Sequence, residues 1–174
     1  MRVNTHALVY KPLNIILLVL LIFPLTLAAQ TLGVTASQTD GMVTVFDGSG
    51  VLGAVTTKPG GYPLVGDCAI TPDTNSVFVT NFSEQLVYVV DITDPATPTL
   101  TNSIAVPIRP QDVSLTPDGR FAVVTGTGTV SPYDSPVVVI DVTTEAIVST
   151  WPATPTGASN AVEVCDDGVS VLVT

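Results

Sequence analysis

The chain has 174 residues, 46 % of them hydrophobic and 11 % charged, with 13 Gly, 14 Pro and a net charge of −10. That balance excludes a disordered polyelectrolyte and predicts many short strands joined by tight turns. The acidic excess excludes nucleic acid as a partner.

In chain order, Arg2, His6 and Lys11 precede an apolar run from Leu13 to Leu27, followed by the small residues Ala28 and Ala29. Basic, apolar and small segments in this order predict a secretory signal peptide over residues 1–29, and the apolar run is short for a membrane span. An uncleaved N-terminal segment is the one membrane contact the sequence offers, and no Cys stands at its end for lipid attachment. Cleavage near Ala29 leaves a chain from about Gln30 whose cations are Lys58, Arg109 and Arg120 against 15 acids, a net charge of −12. The expected location is secreted, periplasmic or at the cell surface.

The rest of the chain repeats. DCAITPDTNSVFVTN (67–81) aligns without a gap on DVSLTPDGRFAVVTG (112–126), 45 residues later, and AVEVCDDGVSVLVT (161–174) follows after another 49. A second block recurs as MVTVFD (42–47), LVYVVD (86–91) and VVVID (137–141), each a β-branched run closing on Asp. Further strands are predicted over Val51–Thr56, Thr99–Ala105 and Ala146–Trp151. Each unit therefore holds four strands.

The turns have ordinary causes. In Thr116-Pro117-Asp118-Gly119, Pro fixes φ, the Asp side chain bonds nearby backbone, and Gly accepts positive φ; in Pro72-Asp73-Thr74-Asn75 the permissive role falls to Asn75. Cys165-Asp166-Asp167-Gly168 keeps the Asp-Gly pair. Asp47, Asp91 and Asp141 are followed two residues on by Ser49, Thr93 and Thr143, a pattern suited to side-chain capped turns. These acids read as scaffold rather than catalysts.

Four-stranded units repeated every 40 to 50 residues indicate β-propeller blades. Thr116-Pro117-Asp118-Gly119, Val77-Phe78-Val79-Thr80-Asn81 and Val137-Val138-Val139-Ile140-Asp141-Val142-Thr143 resemble the turn and strand motifs of the YVTN-repeat β-propeller family, over residues 40 to 174. Phe78 stands for the motif Tyr, Gly126 for the motif Asn in the second copy, and Thr127–Ser135 lengthens one loop. The resemblance implies an all-β chain: about three four-stranded antiparallel blades over residues 30–174, with boundaries near 66, 111 and 160, belonging to a larger, seven-bladed ring. Three blades are too few to close a propeller, so the chain is expected to be a fragment truncated within a strand at Thr174.

The resemblance further implies an exported, non-enzymatic scaffold for ligand or protein binding, or a surface-layer component. The alternative is a lactonase-type enzyme or the propeller domain of a haem- or quinone-linked redox protein. His6 is the only His, so beyond residue 29 a Ser-His-Asp triad, His haem ligation and a His-rich zinc site are all excluded within these residues. No cofactor is expected, apart from a possible Ca²⁺.

Three loops lead into the first strands of the blades: Gly60-Gly61-Tyr62-Pro63, Ile108-Arg109-Pro110-Gln111 and Thr156-Gly157-Ala158-Ser159. In the family such loops lie near the channel mouth. Asp67, Asp112 and Asn160 could thus face a shared ligand or a hard cation such as Ca²⁺; the plainer expectation is that each Asp bonds its own turn. Arg109 is singled out by the rarity of cations, with an ion pair as its ordinary role. Cys68 and Cys165 occupy non-equivalent positions with a whole blade between them, so no disulfide is expected; both read as small buried side chains. Trp151 is assigned to core or blade packing ahead of a ligand platform, and Asn81-Phe82-Ser83 is a formal glycosylation sequon.

Overall fold

A computed structural model of the chain describes residues 31–57, 65–129, 136–152, 161–168 and 170–174. The signal-peptide segment, the loop at 60–63 and Asn160 lie outside the described residues. All elements among these residues are strands: β1 Gly33–Ala36, β2 Met42–Asp47, β3 Gly50–Thr56, β4 Val65–Ile70, β5 Ser76–Asn81, β6 Leu86–Asp91, β7 Thr99–Ala105, β8 Ile108–Leu115, β9 Phe121–Gly128, β10 Val137–Asp141, β11 Ala146–Trp151, β12 Val162–Val164 and β13 Val171–Val173. Among the described residues, no helix is long and apolar enough to cross a membrane.

The strands form antiparallel meanders. Two complete four-stranded blades, β4-β5-β6-β7 and β8-β9-β10-β11, are flanked by the three-stranded sheet β1-β2-β3 and the two-stranded sheet β12-β13. The described strands amount to about the three blades that the sequence spacing suggests, distributed over these four sheets. The strand that periodicity missed is β1. Its register, Gly33↔Phe46 and Ala36↔Val43, matches that of β5 with β6, Val77↔Val90 and Thr80↔Val87. Residues 33–37, GVTAS, are therefore a degraded copy of VFVTN.

The middle strands are buried on both faces, which explains why VFVT and VVVI run apolar without alternation. On β5, Val77 and Val79 pack with Val43 and Val45 of the preceding sheet. Phe78 turns the other way, into a cluster with Val113, Ala122, Val124, Val138 and Ile140 of the following blade. On β9, Val123 faces Val162 and Val164 of the last sheet. One core layer thus fills each gap between consecutive sheets, and each fully buried Val, Ile or Phe contributes about 1.5–3 kcal/mol.

The β4–β5 and β8–β9 hairpins share one turn. Thr71 Oγ1 donates to Asp73 Oδ1 at 2.6 Å and accepts from the Ser76 N–H at 3.0 Å. Thr116 repeats both bonds, with Asp118 and with the Phe121 N–H, at the same two distances. The left-handed position falls one residue earlier than expected, on Thr74 (φ 59°) and not Asn75; its equivalents are Gly119 (φ 69°) and Gly168 (φ 66°). Asn75 serves instead as a donor to Asp73. Consecutive turns also stack. A Cβ at Gly119 would lie 3.1 Å from Pro72 Cδ, and one at Gly168 3.8 Å from Pro117 Cδ.

The strand-ending acids cap turns, with one correction. Asp47 and Asp91 accept from the backbone N–H groups of Ser49 and Thr93 at 2.7 and 2.8 Å. Asp141 accepts chiefly from the backbone N–H and hydroxyl of Thr144, three residues on, with the expected Thr143 as a lesser, backbone partner.

Candidate functional site

The inner strands β4, β8 and β12 lie side by side, and the residues singled out by sequence cluster on the first two. Both β4 and β8 are bulged where they meet their partners, between Val65 and Cys68 and between Pro110 and Asp112. A bulge re-aims the side chain that follows it. The result is a contact between the Asp67 and Asp112 carboxyls across the blade boundary.

These acids do more than bond their own turns. Asp112 accepts from the Val113 N–H at 2.9 Å through Oδ1, and from the Val162 N–H of the next inner strand at 2.6 Å through Oδ2. Asp67 accepts from the Cys68 N–H and from the Val113 N–H one blade on. In each repeat, then, the acid of one blade holds the backbone one residue past the equivalent position of the next. Partial withdrawal from water, followed by the contact with Asp112, raises the Asp67 carboxyl to about 6. Among the described residues no group of three His, Cys, Asp or Glu side chains is placed to hold a metal.

A second clasp comes from the motif Thr. Thr80 Oγ1 accepts from the Asp67 N–H at 2.8 Å and lies 3.2 Å from the Gln111 carbonyl oxygen of the following blade. Gly66 makes room for it, because a Cβ there would sit 2.7 Å from Thr80 Oγ1 and 3.1 Å from the Gln111 carbonyl carbon. Thr125, the same residue one blade later, is fully buried, and among the described residues its hydroxyl has no hydrogen-bond partner.

Beside these clasps lies a groove of about 330 Å³ lined by Gln38, Val65, Gly66, Phe82 and Gln111. Arg109 does not join the acids. Its guanidinium stands over the Phe82 ring, 5.7 Å from the centroid, a cation–π contact; among the described residues no ion pair of the expected kind accompanies it. Gln111 belongs to an entry loop that the sequence singles out, whereas sequence reasoning missed Gln38 and noted Phe82 only within the sequon, because nothing in their local pattern marks them; only the strand order brings the three together.

Other candidates resolve differently. Asn81 is fully buried: its Oδ1 accepts from the Glu84 N–H at 2.9 Å and its Nδ2 reaches the Tyr88 hydroxyl at 3.4 Å. The sequon is therefore closed to a glycan in the folded chain. Tyr88 in turn donates to Glu84 at 2.6 Å, and burial together with Glu84 pushes its phenol up. Trp151 is 46 % exposed at the end of β11, which overturns its assignment to the core. Cys68 and Cys165 are both free and half-buried. Burial pushes the Cys68 thiol up to about 11.

No protein-family model and no curated protein matches the chain. Solved structures do match. They include hydrazine synthase of Kuenenia stuttgartiensis, at 24 % identity and TM-score 0.64 over 80 % of this chain and 40 % of that one. A functionally unknown protein from Desulfotomaculum acetoxidans matches at 23 % and 0.65, over 79 % and 41 %. The WD40 β-propeller domain of Doa1 matches at 14 % and 0.63, over 84 % and 44 %. The chain spans less than half the length of these structures, and at such identities the likeness concerns fold alone. Meandering four-stranded sheets, stacked face to face in chain order and matched by propellers of known structure, make this chain a run of β-propeller blades.

Proposed function

We propose that the chain is part of an exported YVTN-type propeller that acts as a non-enzymatic scaffold, binding a ligand or protein partner at the groove between Gln38, Phe82 and Gln111. One observation carries this reading. The side chains of Thr71, Asp73, Thr80, Asp91, Asp112, Thr116 and Asp118, which could perform chemistry, are engaged in turns and clasps, whereas the groove offers the Phe82 ring and two amides. Such a surface suits recognition by stacking and neutral hydrogen bonds. Function on a propeller resides in surfaces of this kind, not in the repeated residues.

The test is an amide-shift titration with a panel of simple saccharides and aromatic carboxylates. Shifts confined to Gly66, Phe82 and Gln111, and lost in Phe82→Ala, are expected. Shifts distributed elsewhere would refute this site. Material purified from the native host is expected to begin near Gln30. A hydrolase reading has one observation in its favour, the contacting carboxylates of Asp67 and Asp112, an arrangement that supports acid–base chemistry elsewhere. It ranks second because both oxygens of Asp112 already accept backbone N–H groups. Turnover of simple lactones, abolished by Asp67→Asn, would reverse that ranking.

A further inference from the structure

Asp67 and Asp112 belong to different blades, yet their carboxyls touch. Asp112 is anchored from two sides by the Val113 and Val162 N–H groups and cannot swing away without breaking one of these bonds. The backbone of Asp67 is likewise fixed, through its N–H to Thr80. We propose that this pair is a proton-operated clasp between consecutive blades: a proton held between the two carboxyls joins β4 to β8, and its loss sets two negative charges against each other at the inner edge.

Backbone N–H groups of Cys68, Val113 and Val162 offset part of that repulsion, but among the described residues no cation is placed against the pair. On β8 the only cation is Arg109, whose guanidinium is engaged over Phe82. Strand β12 adds a further acid, Glu163, and β4 itself adds the Cys68 thiol. Strands β1, β5 and β9 carry no titratable side chain. A second carboxyl at such a contact disfavours ionisation of Asp67 and raises the pH at which its proton is lost.

The sign follows from linkage. The folded chain holds the Asp67 proton up to about pH 6, whereas an unfolded Asp releases it near ~3.9. Between those values the folded state binds more protons, so stability falls as pH rises. The contribution is complete below pH ~4 and is lost as the pH passes through about 6. The turn acids Asp47, Asp73, Asp91, Asp118 and Asp141 are shifted the opposite way, so they stay ionised throughout this window.

Urea unfolding of the whole chain and of Asp67→Asn across this window tests the clasp, since Asn donates to Asp112 at any pH. The parent's midpoint should fall on raising the pH through about 6 while that of D67N stays level. Amide-exchange protection at Val113 and Val162, corrected for the intrinsic rate, should fall in step in the parent alone. Parallel midpoint profiles overturn the proposal. Should D67N fail to fold, a carboxyl-carbon NMR titration of the parent decides: an Asp67 midpoint near 6 supports the clasp, and one at the ordinary carboxylate value overturns it.

Discussion

The blades β4–β7 and β8–β11 are built on one plan but close their second strands differently. At the end of β5, Asn81 is buried and spends its amide on the Glu84 N–H and the Tyr88 hydroxyl. At the equivalent place in β9 stands Gly126, where a Cβ would come within 2.8 Å of the Arg109 carbonyl carbon. The hairpin turns differ in the opposite sense, with Gly119 at ease in the left-handed region and Thr74 strained in it. Each blade is thus optimal where the other is compromised. A repeat does not need every motif residue, provided the space or strain left by a replacement is met by a local neighbour.

The largest expected effect comes from forcing the second blade to match the first. Gly126→Asn should cost about 3 kcal/mol or more, because backbone and not a flexible side chain occupies the space; the urea midpoint reads this directly. The converse change, Asn81→Ala, should cost about 2 kcal/mol by leaving the Glu84 N–H and part of the Tyr88 hydroxyl unserved. Equal costs for the two substitutions would contradict the comparison.

Exchanging the turn residues should produce smaller shifts of opposite sign. Thr74→Gly should stabilise by about 0.5–1 kcal/mol through relief of backbone strain, and Gly119→Thr should destabilise by at least as much because it adds a contact with Pro72. Acid unfolding sharpens the point. The hydroxyls of Thr71 and Thr116 are the main cause holding the Asp73 and Asp118 carboxyls below the usual carboxylate range. Their contribution is present above the ordinary carboxylate value and lost as pH falls through the depressed one. The acid limb of the stability profile should therefore flatten to a similar degree in Asp73→Asn and Asp118→Asn. The smallest effect is chemical: the native chain should label at Cys68 with a thiol reagent far more slowly than the unfolded chain at the same pH, as its raised thiol predicts.

Strand order, blade length and the Asp-closed hairpins were legible in the sequence, because a strand buried on both faces writes an unbroken β-branched run and a tight turn writes Pro-Asp-Gly. Strand β1 was not, since Gly33 and Ala36 erase the apolar signal. Its structure supplies what the sequence lacks, as the Phe46 ring lies against Gly33 where a side chain would be. The prominence of Asp67 and Asp112 was legible too. Their joint use was not, because it depends on two bulges and on contacts 45 residues apart, neither of which leaves a local pattern. Trp151 misled for the plain reason that a large aromatic on an outer strand still finds solvent.

Every clasp described above points the same way along the chain. Asp67 and Asp112 hold backbone N–H groups of the blade that follows, Thr80 lies against the next blade's Gln111, and Pro72 and Pro117 rest on the next turn's glycine. A chain made from its N-terminus therefore completes each set of docking groups before the blade that will use it exists. Each finished blade is the mould for its successor, so assembly gains a direction matching the order of synthesis, and an early blade that folds poorly handicaps every later one.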